Sequence, residues 1–241
     1  MNNTKILTFI ILFLLGFQQI DASDKPNFIW INCEDISPNL GCYGDDYATT
    51  PNIDALAESG IVFTEAFSAA PICTPSRTSL ITGVYATSIG TQHLRSMVER
   101  DPRIKTIAEL MSNAGYFTSN SAKTDYNFDP TGIWEYWKQD EAPWRQRKDD
   151  RPFFSMFVYG MTHEGSTNKP DNWEKNTAGW PKEKFHKDPN VFVPPYFPNN
   201  DVFKKIYNRY YDNITVFDET VGEIIENLKN DDLLENTFVF F

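Results

Sequence analysis

The chain has no internal repeat and no low-complexity tract, and past residue 22 no apolar run is long enough to span a bilayer. A repeat array and a polytopic membrane protein are therefore excluded. Positive charge is scarce: 22 Lys and Arg stand against 33 Asp and Glu, a formal net charge of −11. Such a surface repels polyanions, which excludes nucleic acid as a partner and requires any anionic ligand to be held by a local cationic site. Cysteine is scarce too, with only Cys33, Cys42 and Cys73. In an oxidising compartment an odd set leaves at least one cysteine unpaired or otherwise employed; Cys33 with Cys42 is one conceivable pair.

What is present argues for an exported, folded domain. Lys5 precedes the apolar run Ile6–Phe17, and Ala22 offers a small residue before a cut, so residues 1–22 read as a cleaved secretory signal. The expected location is secreted or periplasmic, with no stable membrane anchor. Hydrophobic residues at 41% and aromatics at 15% argue against disorder. Residues 23–241 are enough for one α/β core.

Strand and helix patterns alternate along that core. "NFIWINC" (27–33) reads as a buried strand, and Pro51 opens a helix that Gly60 closes. "IVFTEAF" (61–67) reads as an extended run, 75–82 as a short helix, and 104–115 as a helix ended by Gly115. Strands follow at 116–120 and 152–160. Residues 165–200, rich in Pro, Asn, Lys and Trp, show no clear period and read as a long insertion loop near the site. A long amphipathic helix then places Ile206, Tyr210, Ile214, Phe217, Val221, Ile225 and Leu228 on one face, before "TFVFF" (237–241). This alternation predicts an α/β fold: a mostly parallel sheet covered by helices on both faces.

In such sheets ligands bind beyond the carboxyl ends of the strands. Glu34 and Asp35 follow the first strand, Lys123 and Asp125 the strand at 116–120, and His163 and Glu164 the strand at 152–160. Cys73 and Arg77 flank a predicted helix start, where backbone N–H groups favour an anion. Adjacent carboxylates suit Ca²⁺ or Mg²⁺. Arg77, Lys123 and His163 suit a tetrahedral oxyanion, and Cys73 stands where a nucleophile would. His93 and Arg95 in "GTQHLR" are candidates for substrate contact or simply part of a polar loop.

Cys73-Thr74-Pro75-Ser76-Arg77 resembles the C-x-P-S-R signature of the type I sulfatases, of the alkaline-phosphatase-like superfamily. The likeness runs on through "PNFIWINCEDISPNLGCYGD", "TPNIDALAESGIVFTEAF", "AKTDYNF", "MTHEG" and residues 210–241. It implies that a formylglycine-generating enzyme converts Cys73 to formylglycine, the nucleophile. It also implies that Glu34, Asp35 and residue 73 face a divalent metal, and that Arg77, Lys123 and His163 serve the sulfate and its leaving group. Glu34 stands where the family usually has Asp, and Asp125 where many members have His. The expected function is hydrolysis of sulfate from a sulfated carbohydrate. Hydrolysis of a phosphonate or phosphate ester by the same site, or inactive binding of a sulfated glycan, are the alternatives. The family's next metal-binding turn would follow Phe241, so residues 23–241 are expected to be the N-terminal part of a catalytic domain, inactive alone.

Overall fold

A computed structural model describes residues 25–241; the expected signal at 1–22 lies outside the described residues. Five strands form one sheet: β1 (Asn27–Asn32), β2 (Phe117–Asn120), β3 (Tyr136–Trp137), β4 (Phe153–Val158) and β5 (Thr237–Phe240). Their order is β3-β2-β4-β1-β5, and every pairing is parallel, with Phe28 opposite both Phe154 and Phe238. Parallel neighbours need crossovers, and the helices supply them on both faces.

The pleat sends alternate side chains to opposite faces. Ile29, Ile31, Phe153 and Phe157 point to one side, where they bury Ile53 of helix α1 (Pro51–Ser59) with Ile214, Phe217, Val221, Ile224 and Leu228. Those five belong to the last helix, Asp201–Asn230, whose 30 residues form the longest element. On the other side, Phe154, Met156 and Val158 pack on Ile81 of α2 (Cys73–Thr82) and Ala108 of α3 (Ile107–Asn113). The α/β expectation is met, with covering on both faces.

Local signals set several boundaries. Thr106 caps α3 by accepting from the Glu109 N–H while the Glu109 carboxylate accepts from the Thr106 N–H, which delays the helix three residues past the expected 104. No neighbouring side chain in sequence caps α1. Its first N–H groups go instead to the buried Asp218 of the last helix, 3.2 Å from Asn52 and 2.8 Å from Ile53. Burial raises the Asp218 pKa despite these hydrogen bonds.

Two expectations fail. Residues 61–67 form no strand, and Ile61, Phe63 and Phe67 are 82%, 66% and 85% exposed. The run pairs with neither open edge of the described sheet, at β3 or at β5. Residues 165–200 are not a featureless loop. They contain α4 (Glu164–Asn168) and α5 (Pro170–Asn176), and the last helix is α6. Asn176 donates to Asn213 at 3.0 Å, and the Trp180 indole donates to Glu219 at 3.0 Å. These polar anchors on α6, rather than an apolar period, fold the segment. The short β3 carried no sequence signal. Among the described residues no helix is long and apolar enough to cross a membrane.

Candidate active site at the strand ends

The first strand delivers Glu34 and Asp35 to the sheet's carboxyl edge. The Glu34 N–H donates to Thr162 Oγ1 at 3.0 Å, which ties this turn to the end of β4. Asp35 takes φ 52°, a left-handed conformation that Asp tolerates better than most residues, and its Oδ2 accepts from the Glu164 N–H at 2.9 Å. Beside it, His163 Nδ1 accepts from the Gly165 N–H at 3.0 Å. That bond assigns the ring proton of neutral His163 to Nε2, which lies 3.9 Å from Asp35 Oδ2.

Lys123 lies at the centre. Its ammonium donates to Glu34 Oε1 at 2.6 Å and lies 3.4 Å from Asp125 Oδ2. Asp125, at φ 51°, also faces Arg95 Nε at 3.5 Å. Partial burial pulls the Lys123 pKa down. The Glu34 hydrogen bond, then the charges of Glu34, Asp125 and Cys73, outweigh that pull and hold the pKa above the ordinary lysine value.

Two nitrogens of the Arg77 guanidinium are taken by backbone carbonyls, and Nη1 has no hydrogen-bond partner among the described residues. Its Nε donates to the Thr124 carbonyl at 2.7 Å and its Nη2 to the Lys123 carbonyl at 2.6 Å. At 6% exposure it acts from beneath, fixing the backbone that presents Lys123 and Asp125. Cys73 is the first residue of α2, the preceding Ile72 provides no side-chain cap, Pro75 has no N–H and the Ser76 N–H donates to the Ile72 carbonyl at 3.1 Å, so the N–H groups of Cys73 and Thr74 are left for another acceptor.

Cys33, Cys42 and Cys73 are all free, so the conceivable Cys33–Cys42 pair does not form. Burial pushes the Cys33 thiol up to about 12, which keeps it protonated and inert.

The structure thus gathers Glu34, Asp35, Cys73, Arg77, Lys123 and His163 at one edge and adds Arg95 through Asp125. His93 stays apart: it is exposed, and its carbonyl accepts from Asn127 Nδ2 at 2.6 Å. Sequence reasoning missed Asn127 and Thr162. Asn127 is fully buried; it also accepts from the Ser96 N–H, and its own N–H donates to Thr78. It therefore pins the loop carrying Arg95 onto α2. An Asn flanked by Tyr126 and Phe128 was its only signal.

The described residues do not by themselves fit a divalent cation. Glu34 is already answered by Lys123, and no group of three or more His, Cys, Asp or Glu converges among the described residues. A Ca²⁺ shell of about 6–8 oxygens needs more than two adjacent carboxylates.

The family model described as Sulfatase matches residues 26–241. An ulvan-active sulfatase of Formosa agariphila is 29% identical over 262 residues, covering 92% of this chain and 44% of that protein. An N-acetylgalactosamine-6-O-sulfatase of Bacteroides thetaiotaomicron is 36% identical over 114 residues, covering 46% of this chain and 22% of that one. Among solved structures, a Bacteroides fragilis protein described as the sulfatase yidJ superposes with a TM-score of 0.68 at 22% identity, covering 93% of this chain and 63% of the other. The chain spans half or less of the length of the curated relatives compared here. With the signature around Cys73 at a helix start, facing Lys123 at the edge of a parallel sheet, this chain belongs to the sulfatase family.

Proposed function

We propose that the protein hydrolyses a sulfate ester of a carbohydrate outside the cytoplasm, with residue 73 as nucleophile after conversion of Cys73 to formylglycine by a dedicated enzyme. The observation that carries this reading is the place of Cys73: an unpaired cysteine at the uncapped start of α2, within the field of Lys123. As formylglycine, residue 73 would supply a hydrated-aldehyde oxygen for attack on sulfur.

The chain's own groups do the rest. The free N–H groups of residues 73 and 74, at the start of α2, bind sulfate oxygens. The Lys123 ammonium offsets charge that builds on the transferring group, and its pairing with Glu34 holds it in place. Arg77 is a positioning residue, because it holds the carbonyls of residues 123 and 124. His163, with Nδ1 accepting from Gly165, presents Nε2–H as a hydrogen-bond donor to the departing alcohol oxygen. Glu34 and Asp35 are the carboxylates this chain would contribute to a Ca²⁺ or Mg²⁺ site. They do not complete one, and no step here depends on it.

Names of the relatives support the substrate class: one is ulvan-active, and another acts on an N-acetylgalactosamine sulfate. Tryptic peptide mass spectrometry of natively expressed protein should show residue 73 as aldehyde or hydrate. Sulfate release should be measured on sulfated mono- and oligosaccharides beside a phosphonate ester. A peptide holding only thiol or disulfide at position 73, or turnover of the phosphonate alone, overturns the proposal.

A further inference from the structure

A cavity of about 500 Å³ opens between residues 173–189 and the first turns of α6. None of its lining residues belongs to the strand-end cluster. Five cations line it: Lys182, Lys187, Lys204, Lys205 and Arg209. Not one of them makes an ion pair with another described residue. In a chain of net charge −11, an unpaired group of this size is a local reversal of the field.

Three carboxylates also reach the cavity, and two are engaged locally. Asp212 accepts from the His186 N–H at 2.8 Å, faces His186 Nδ1 at 2.9 Å, and accepts from the Trp173 indole at 3.0 Å. Asp188 accepts from the Asn190 N–H at 2.7 Å. Asp201 sits in the first turn of α6. The wall therefore stays net positive.

Its chemistry is that of a saccharide anion site. The Arg209 guanidinium lies 5.0 Å above the Trp173 ring, and the Arg209 Nε is buried without a hydrogen-bond partner. A buried donor calls for an acceptor, and an anion in the cavity would supply one. Trp173 and Phe185, 5.4 Å apart, add an apolar wall of the kind a sugar ring packs on.

We propose that this cavity is a second binding site, which holds a sulfated residue of a carbohydrate chain away from the ester being cleaved. The inference rests on the reading of the substrate as a sulfated carbohydrate, and its test needs no turnover. Affinity electrophoresis of the chain in gels containing dextran sulfate, unsulfated dextran or polyglutamate reads it directly. Dextran sulfate should retard the protein, and the other two should not. Lys205→Gln with Arg209→Gln should weaken the apparent affinity for dextran sulfate at least tenfold. Because Arg209 packs on Trp173, Lys182→Gln with Lys205→Gln, both exposed, serves as a second variant and should weaken it at least threefold at unchanged Tm.

Retardation that survives both double variants, or that only Lys123→Ala abolishes, overturns the second site. Equal retardation by polyglutamate overturns its preference for carbohydrate. A protein of full family length with formylglycine at position 73 that is retarded but releases no sulfate refutes the reaction and leaves the site standing. One that releases sulfate but is not retarded refutes the site alone.

Discussion

Lys123 and Lys205 carry the same ammonium group in opposite circumstances. Lys123 is part-buried at the strand ends, held at 2.6 Å by Glu34, with Asp125 as a further acidic neighbour. Lys205 stands exposed on α6 in a group of cations with no ion-pair partner. The two regions show how surroundings decide what a cation can do. A fixed, partly desolvated charge stabilises charge that appears during a reaction, since no reorganisation is needed at that moment. A set of unpaired, mostly solvated charges attracts a polyanion, and only the buried Arg209 Nε asks for a particular acceptor on it.

The largest expected effect tests the fixed charge. Lys123→Ala should lower sulfate release about 10²–10³-fold, or about 2.7–4 kcal/mol. Initial rates on a sulfated monosaccharide, with the completed protein carrying formylglycine at position 73, measure it, and an unchanged rate would remove Lys123 from the reaction.

Next comes the support beneath it. Arg77→Lys cannot reproduce the fork that grips two successive carbonyls, so it should cost about 1.5–3 kcal/mol in urea unfolding, the range for hydrogen bonds to charged groups. A loss below about 0.5 kcal/mol would mean that the backbone at 123–124 holds itself.

The third concerns alkaline pH. The Lys123 pKa is raised in the fold, so stability from its pairing is full below the ordinary lysine value, about 10.4. It is lost as pH rises through the raised value. Thermal melts from pH 9 to 12 should show this loss, and Lys123→Met should flatten that part of the profile. Buried tyrosines such as Tyr126, with a pKa pushed up to about 12, lose stability in the same direction and remain in the variant. An identical slope in both proteins would show that the pair contributes nothing.

The smallest effect belongs to the other region. Lys205→Gln should change unfolding stability by no more than about 0.5 kcal/mol, because the side chain is exposed and unpaired. A larger loss would mean that the cavity wall has a structural task.

Much of the fold could be read in advance where a pattern matched one period. The β1 and β4 runs and the α6 face are such cases: one strand run is bounded by Pro152 and Gly160, and the helix repeats apolar residues every three or four positions. "IVFTEAF" had the composition of a strand and became exposed chain, since strand composition alone does not specify pairing. The segment 165–200 had no period because polar anchors on α6 order it. The placement of Lys123 and His163 at the strand ends and of Cys73 at a helix start was legible from spacing and resemblance. Asn127 was not, because a buried amide that ties a loop to a helix leaves no motif.

The sequence by itself determined the parallel sheet, the crossover helices and the residue types at the strand ends, because periodicity and turn chemistry act over a few residues. Only the tertiary structure decided their electrostatic roles. Arg77, read as a charge for the substrate, also holds the carbonyls of residues 123 and 124, and Glu34, read as a metal ligand, also pairs with Lys123. Asp125, whose role was open, became a bridge to Arg95. These assignments join residues as far apart as 34 and 123, and charges interact through distance and burial, which the order of residues along a chain does not specify.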